Sequence, residues 1–88
     1  MEWKLFAHLR DAGGGPSVEV DVAEDATVGR ALEALVEARP ALREELFEDG
    51  ELADHIRLLV DGEPPEAGLA TAVDGETELA LFPPVSGG

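Results

Sequence analysis

The sequence contains no cysteine and few basic residues. Without thiols the chain cannot form disulfides, thiolate metal sites or a cysteine nucleophile, so any sulfur chemistry must come from another molecule. Six lysine and arginine residues stand against twenty aspartate and glutamate residues, which gives a net charge of -14. Nucleic acids and anionic membrane surfaces are bound through basic side chains. The composition therefore argues against both as partners.

Long apolar runs are also missing. No stretch approaches the ~20 apolar residues that span a bilayer, and the N-terminus lacks the basic and apolar segments of a secretory leader. We therefore expect a cytoplasmic protein that crosses no membrane. Its 88 residues, 44% of them hydrophobic, fit one small domain, which we expect to be a monomer. The excess negative charge suits a salt-rich, halophilic cytoplasm, because salt screens the repulsion between carboxylates.

The side chains do not form a recognisable active site. No serine or threonine lies in a nucleophile motif with a histidine, and His8 and His55 lack the spacing of zinc ligands. The glycine run at 13–15 lacks the lysine of a phosphate-binding loop, and no acidic cluster matches a calcium-binding loop. The sequence therefore predicts neither a metal site nor a bound cofactor, and it indicates that the chain is not itself an enzyme.

Hydrophobic alternation predicts two strands near the N-terminus. Residues 3–9 are apolar with partial alternation, and they predict a first strand followed by a glycine-rich loop that ends at Pro16. Val18, Val20 and Val22 alternate with carboxylates, so their β-branched side chains share one face. This pattern predicts a second strand that is buried on one side only.

One amphipathic helix is predicted next. Apolar residues recur at helical spacing from Val28 onward, and Thr27 precedes them as a natural N-cap. Pro40 is expected to end this helix at about Arg39, because the residue before a proline is pushed out of the helical region. The apolar stripe consists of Val28, Ala31, Leu32, Leu35 and Val36.

The second half of the chain predicts two more strands. A further helical turn is expected at 42–46, and alternation at 56–60 predicts a third strand that ends in the Asp61-Gly62 turn. Two prolines indicate a loop over 63–72, and alternation around 79–81 predicts the closing strand. One helix between such strands places the first and last strands side by side and parallel.

The predicted order is that of an α+β, β-grasp (ubiquitin-like) fold. We expect a mixed sheet of four to five strands covered by one main helix. Residues 1–82 would form this β-grasp domain, and residues 83–88 would form a flexible C-terminal tail that ends in two glycines.

The tail is the part of the sequence that indicates chemistry. Pro83 and Pro84 favour an extended exit from the last strand, and Gly87 and Gly88 remove all side chains from the chain end. A carboxylate must first be activated, typically as an acyl-adenylate made from ATP, before a nucleophile can attack it. Because Gly87 and Gly88 have no side chains, they would let the terminal carboxylate enter a narrow channel in a partner enzyme. Two terminal glycines alone would be interpreted as a frayed chain end. The whole run LFPPVSGG at 81–88, attached directly to the last predicted strand, instead favours the Gly88 carboxylate as the working group.

The C-terminal segment 80–88, ALFPPVSGG, resembles the ends of the molybdopterin synthase small subunit and the thiamine sulfur carrier. The N-terminal segment 1–7, MEWKLFA, and the helix start DATV at 25–28 are similar to the small archaeal modifier proteins of this ubiquitin-like MoaD/ThiS sulfur-carrier family. The resemblance covers nearly the whole chain. Ser86 stands where relatives of the synthase subunit often carry alanine, a small departure.

The resemblance implies a β-grasp protein that is activated by a separate E1-like enzyme. That enzyme would use ATP and Mg²⁺ to adenylate Gly88, and the product would be an isopeptide bond to a target lysine or a thiocarboxylate. Sulfur from the thiocarboxylate would serve molybdenum cofactor biosynthesis or tRNA thiolation. Implied partners are the activating enzyme, target proteins, the large subunit of molybdopterin synthase and a deconjugating metalloprotease.

Two alternatives remain open at the level of sequence. The chain could be a dedicated small subunit of molybdopterin synthase, which carries sulfur and modifies no proteins. It could also be a ubiquitin-fold interaction module whose tail is never activated. Removal of Gly87 and Gly88 would leave the function of such a module unchanged.

Strand alternation also predicts a docking face. If Leu5 and Leu81 face the helix, their neighbours in sequence point to the other side of the sheet. The alternative is that these neighbours pack under loops. The predicted partner-binding residues are Phe6, Leu59, Phe82, Pro83, Pro84 and Val85, with Ala80, Lys4, His8 and Arg57 beside them.

Overall fold

The computed structural model describes residues 1–83 and contains six strands and three α-helices. In chain order they are β1 (Glu2–Leu5), α1 (Leu9–Gly13), β2 (Ser17–Glu19), α2 (Val28–Ala38), α3 (Leu42–Leu46), β3 (Phe47–Glu48), β4 (Glu51–Leu52), β5 (Arg57–Val60) and β6 (Glu78–Phe82). A short 3₁₀ turn covers Gly68–Ala70 between β5 and β6. Residues 84–88 lie outside the described part of the chain.

Four strands form one mixed sheet in the order β2-β1-β6-β5. The two central strands, β1 and β6, run parallel with Trp3 opposite Leu79 and Leu5 opposite Leu81. The outer strands β2 and β5 are antiparallel to their neighbours, and β3 with β4 forms a separate small hairpin. The β-grasp arrangement predicted from the sequence, with adjacent and parallel first and last strands, is confirmed.

Helix α2 packs on one face of this sheet, as its apolar stripe predicts. The hydroxyl of Thr27 accepts a hydrogen bond from the Arg30 amide at 3.3 Å, so the predicted N-cap is present. Every residue of the predicted stripe is buried, and the helix ends at Ala38, two residues before Pro40. The indole Nε1 of the fully buried Trp3 donates to the Ala31 carbonyl at 3.0 Å. This bond fixes the position of α2 over β1.

The first strand is shorter than the alternation predicted. β1 ends at Leu5, the next residues turn through Ala7 at a φ of 54°, and residues 9–13 form a helix instead of strand and loop. Leu9 belongs to this helix and its side chain is fully buried in the core, so an apolar residue at this position reflects helix packing rather than strand alternation. The prediction of a strand over residues 3–9 was therefore wrong in its second half.

The glycine run that follows is a helix end rather than a simple loop. Gly14 adopts a left-handed conformation with a φ of 81°, and its amide donates to the Arg10 carbonyl, which is a typical helix C-cap. Gly13 is buried where a Cβ would overlap Cδ1 of Leu5 and would lie 3.6 Å from Cδ1 of Leu42. The position therefore needs glycine for close packing of α1 against the core.

Substitution of Gly13 by alanine tests this close contact. We expect Gly13→Ala to lower the free energy of unfolding by about 1–3 kcal/mol, because an added methyl group forces the Leu5 side chain to move. Gly75→Ala is the matched control, since nothing lies within 4 Å of an added Cβ there. Guanidinium unfolding at molar salt measures both. Equal unfolding midpoints for the two variants would contradict the packing argument.

The remaining elements agree with the sequence pattern in outline. The helical turn predicted at 42–46 is α3, and β5 ends in the predicted tight turn, in which Asp61 and Gly62 have φ values of 49° and 84°. Val18 and Val20 are buried as predicted, although β2 stops at Glu19. The β3–β4 hairpin was not predicted from the sequence.

Negative charge is poorly compensated on this fold. Within residues 1–83 the ion pairs are Lys4–Glu78 and Arg30–Glu33, and His8 makes a further contact with Glu45; all three contacts are well exposed. Exposed pairs contribute little to stability, and most of the twenty acidic residues have no basic partner in this part of the chain. Repulsion between carboxylates should therefore dominate the electrostatics of the folded state.

We expect the melting temperature to rise with potassium chloride by about 4–8 °C or more between dilute and molar salt, a shift that corresponds to ~1 kcal/mol or more in a domain of this size. Glu48 and Glu51 face each other across the β3–β4 hairpin, so the variant Glu48→Gln/Glu51→Gln should show a weaker salt dependence. Thermal melts followed by circular dichroism test both statements. A flat salt dependence of the unmodified chain would contradict them.

Candidate functional site

The exit of the C-terminal tail is set by the central strand β6. This strand pairs with β1 on one side and with β5 on the other, and its last residue, Phe82, lies opposite Arg57 of β5. Pro83 follows it and is half-buried. The predicted site residues Pro84, Val85, Gly87 and Gly88 lie outside the described residues. What the structure describes is therefore the paired strand from which the tail starts.

The side chains on the far side of the sheet from α2 form what we call the outer face: Lys4, Phe6, Arg57, Leu59, Ala80 and Phe82. Leu79 and Leu81 of β6 are fully buried in the core, whereas Ala80 and Phe82 between and after them are half-buried. The same alternation holds in β5, where Leu58 is buried and Leu59 is half-buried. Strand alternation therefore predicted the orientation of these side chains correctly.

Two aromatic rings lie in contact at the tail end of the outer face. The ring centroids of Phe6 and Phe82 are 4.2 Å apart and their planes differ by 11°, so the rings are stacked. Both residues remain half-exposed. Aromatic pairs contribute about 0.5–1.5 kcal/mol beyond the burial of their area. The pair thus forms a firm apolar surface directly beside the start of the tail.

Charge is distributed unevenly over the outer face. The exposed Arg57 lies opposite Phe82, near the aromatic end. At the opposite end, Glu2 lies beside Glu78 of β6 and Glu19 of β2, so three carboxylates share one row across the sheet. The aromatic end is consequently the less acidic part of a strongly acidic protein.

The structure separates His8 from the outer face, where the sequence placed it. His8 lies at the start of α1 rather than in a strand, and its Nε2 is 3.1 Å from Oε2 of Glu45 in α3. Strand alternation does not extend to this residue because β1 has already ended. The assignment of His8 to the outer face was therefore wrong.

The described residues hold no side-chain cluster suited to metal binding. Within residues 1–83 no group of three histidine or acidic side chains could hold a metal ion, and no helix there is long and apolar enough to cross a membrane. An open groove of about 870 Å³ lies beside α2, lined among others by Val22, Arg30 and Glu37. It lies on the helix side of the sheet and does not include the outer face.

Comparison with known proteins gives a consistent result. Residues 3–88 match the model of the ThiS family. The chain is 60% identical to small archaeal modifier protein 1 of Haloferax volcanii over 89 aligned residues, with 100% of each chain covered. The crystal structure of SAMP1 from Haloferax volcanii has a TM-score of 0.93 at 58% identity and covers 100% of this chain and 98% of that chain.

A more distant solved structure comes from Pyrococcus furiosus and is described as a putative molybdopterin converting factor, subunit 1. It has a TM-score of 0.78 at 25% identity, and the alignment covers 96% of this chain and 95% of that chain. The family match, the full-length identity and the shared fold agree with the resemblance seen in the tail and in the first strand. The chain therefore belongs to the ThiS family of β-grasp proteins and, within it, to the small archaeal modifier proteins.

Proposed function

We propose that this chain is a ubiquitin-like protein modifier and sulfur carrier whose working group is the Gly88 carboxylate. The observation that carries the proposal is the full-length match to small archaeal modifier protein 1, which includes the C-terminal segment. The fold supports it, because β6 is held between two neighbouring strands and delivers the tail from a fixed point at Phe82. The chain would act as a protein substrate and not as an enzyme.

The chemistry is supplied by a separate E1-like enzyme with ATP and Mg²⁺. A Gly88 carboxylate oxygen attacks the α-phosphorus of ATP, and pyrophosphate leaves. In the resulting acyl-adenylate, the amine of a target lysine attacks the carbonyl carbon, a C–N bond forms, the C–O bond breaks and AMP leaves. If hydrosulfide from a sulfur donor attacks the carbonyl carbon instead, a C–S bond forms, the C–O bond breaks, AMP leaves and the product is a thiocarboxylate. The chain itself contributes reach, accessibility and a docking surface.

We propose that the activating enzyme binds the aromatic end of the outer face. Phe6, Leu59 and Phe82 offer half-exposed apolar area on a protein whose other surfaces are mostly acidic. Aromatic side chains are enriched in the centre of protein interfaces, where charged residues are depleted. Pro83 directly follows Phe82, so an enzyme bound there would guide Pro84, Val85 and the two glycines into its active site.

Further partners follow from the same chemistry. Target proteins would be joined through lysine, a metalloprotease would remove the modifier, and the large subunit of molybdopterin synthase would accept sulfur from the thiocarboxylate. A role restricted to molybdopterin synthesis is the second candidate, supported by the likeness to a molybdopterin converting factor subunit. This chain is 25% identical to that subunit and 60% identical to the small archaeal modifier protein, so the modifier function is favoured over the restricted role. We propose the cytoplasm as the place of action, since activation would use ATP there.

A chain with a C-terminal carboxamide tests the proposal. It keeps every residue and the full length of the tail but offers no carboxylate for attack on ATP. We expect the unmodified chain to support ATP–pyrophosphate exchange by its activating enzyme, and we expect the carboxamide to support none above background. Circular dichroism serves as the control for an unchanged fold. Equal exchange by both chains would contradict the proposed role of Gly88.

A further inference from the structure

Lys4 is the only lysine among the 88 residues, and it lies on the outer face. Its neighbours in β1, Trp3 and Leu5, are buried in the core, so the alternation of the strand turns Lys4 to the other side. The Lys4 side chain is 44% exposed, and its Nζ lies 3.4 Å from Oε2 of Glu78. An ion pair this exposed is weak, so it does not withhold the amine from other reactants.

The surroundings of Lys4 leave room for an incoming chain end. Its cross-strand neighbours are Ala80 on β6 and Ser17 on β2, which share its face of the sheet. Both side chains are small, so they leave the longer Lys4 side chain uncovered on this face. A tail that ends in two glycines carries no side chains that would collide with this surface.

Lys4 is also close to the stacked rings. Phe6 follows it by two residues on the same face, and Phe82 follows Ala80, the cross-strand partner of Lys4, by two residues. Two residues along a strand correspond to ~7 Å. The amine therefore lies beside the surface that we propose for the activating enzyme.

We infer that Lys4 accepts a second copy of this chain, and that the linkage prevents renewed activation of the copy that carries it. The inference rests on the proposed function. Lys4 Nζ attacks the carbonyl carbon of Gly88 in an adenylated second copy. A C–N bond forms, the C–O bond to AMP breaks, AMP leaves with the electron pair and the proton of the amine passes to solvent. The product is an isopeptide-linked dimer.

The block follows from the size of protein interfaces. A standard interface covers roughly 800 Å² on each partner, equivalent to a disc of about 16 Å radius. A disc centred on the stacked rings includes Lys4, so a tail attached to Lys4 would have to pass through the contact with the enzyme. A copy that is modified at Lys4 could then no longer be activated at its own Gly88. Chains of several copies on a target protein would therefore grow by one single copy at a time, each added to a copy that is already attached. A preassembled dimer would not be transferred.

The first experiment tests the acceptor. Linked dimers purified from the native cells are digested after glutamate, which leaves residues 79–88 of one copy attached to residues 3–19 of the other. We expect this branched peptide, and we expect Lys4→Arg to abolish dimers. Conjugates with other proteins are the internal control, because they need Gly88 activation but not the Lys4 amine. Two results would overturn the inference. One is a dimer that persists in Lys4→Arg because Gly88 is linked to the Met1 amine. The other is a monomer lighter by one water, in which Gly88 is linked to Lys4 of the same chain.

The second experiment tests the block. In a chemically joined Lys4-linked dimer, only the acceptor copy has a free Gly88. We expect its ATP–pyrophosphate exchange to fall by roughly tenfold or more in kcat/KM relative to the monomer. The matched control is a dimer joined at the exposed position 37 on α2 in the Lys4→Arg/Glu37→Lys variant, and its rate should stay within about twofold of the unlinked monomer of the same variant.

The outcomes separate the two claims. If the monomer fails to support exchange that depends on Gly88, the proposed function itself is wrong. If the monomer supports exchange and the Lys4-linked dimer does so at the same rate, the proposed function stands and only the inference about Lys4 is overturned.

Discussion

Deletion of Gly88 is expected to lower the rate of ATP–pyrophosphate exchange by about 100-fold or more. The distance from the folded domain to the carboxylate is set by the residues after Phe82, where β6 ends. Loss of one residue shortens this reach by up to ~3.6 Å. Since a misplacement of 1 Å can cost about 100-fold in rate, the shortened tail should no longer place a carboxylate at the α-phosphorus of ATP.

The fold should survive this deletion. The core that the structure describes, which includes Trp3, Leu32 and Leu81, does not depend on Gly88, so we expect unchanged circular dichroism spectra and an unchanged melting temperature at molar salt. Ser86→Ala is the matched control in the tail, because it keeps the length of the chain and should leave exchange intact. If the chain without Gly88 supported exchange at the rate of the intact chain, the interaction-module alternative would replace our proposal.

Phe82→Ala is expected to weaken docking to the activating enzyme by roughly tenfold or more, because truncation of an aromatic residue at the centre of an interface typically costs more than 1 kcal/mol. Its cost to folding should include the stacking contact with Phe6, about 0.5–1.5 kcal/mol, and the buried part of a half-exposed ring, and it should stay below the ~3–5 kcal/mol of a fully buried phenylalanine. The KM for the chain in ATP–pyrophosphate exchange measures the first effect, and guanidinium unfolding measures the second.

Leu81→Ala is the control for this prediction, since Leu81 precedes Phe82 in the same strand but is fully buried on the inner face. Its truncation should lower the free energy of unfolding by about 2–5 kcal/mol. At molar salt, the fraction of Leu81→Ala that remains folded should keep an unchanged KM. A Phe82→Ala variant that loses as much stability as Leu81→Ala and keeps its KM would refute the docking face.

Several features of the fold could be predicted because their signals are local. Alternation in β5 and β6 separates Leu58 and Leu81 from Leu59 and Phe82 by the period of a strand alone. The start of α2 follows from the hydrogen-bonding capacity of the Thr27 side chain. Such patterns fix which side of an element faces the core, and they do so without knowledge of the rest of the chain.

Other features depend on contacts between distant residues. Helix α1 has five residues and ends at a glycine, so its own sequence does not favour a helix. In the folded protein this helix buries Leu9 and brings Gly13 close to Leu42, and both contacts depend on residues distant in sequence. The β3–β4 hairpin has strands of only two residues, too short for an alternation to be visible. Local patterns carry no record of these contacts.

The candidate site divides in the same way. Alternation predicted that Phe6 and Phe82 share a face, but their stacking depends on the parallel register of β1 and β6, which no local pattern specifies. The proximity of Lys4 to Glu78 has the same origin. The roles of Gly87 and Gly88 remain predictions from the sequence and the family, because both residues lie beyond the described part of the chain.

The central claim, that the Gly88 carboxylate is the working group, is tested most directly by mass spectrometry of this chain purified from its native cells. Our account predicts Gly88 in isopeptide linkage to lysines of other proteins, together with free chain in which one carboxylate oxygen is replaced by sulfur. Free, unmodified Gly88 as the sole form, in cells where the activating enzyme is present and active, would contradict it.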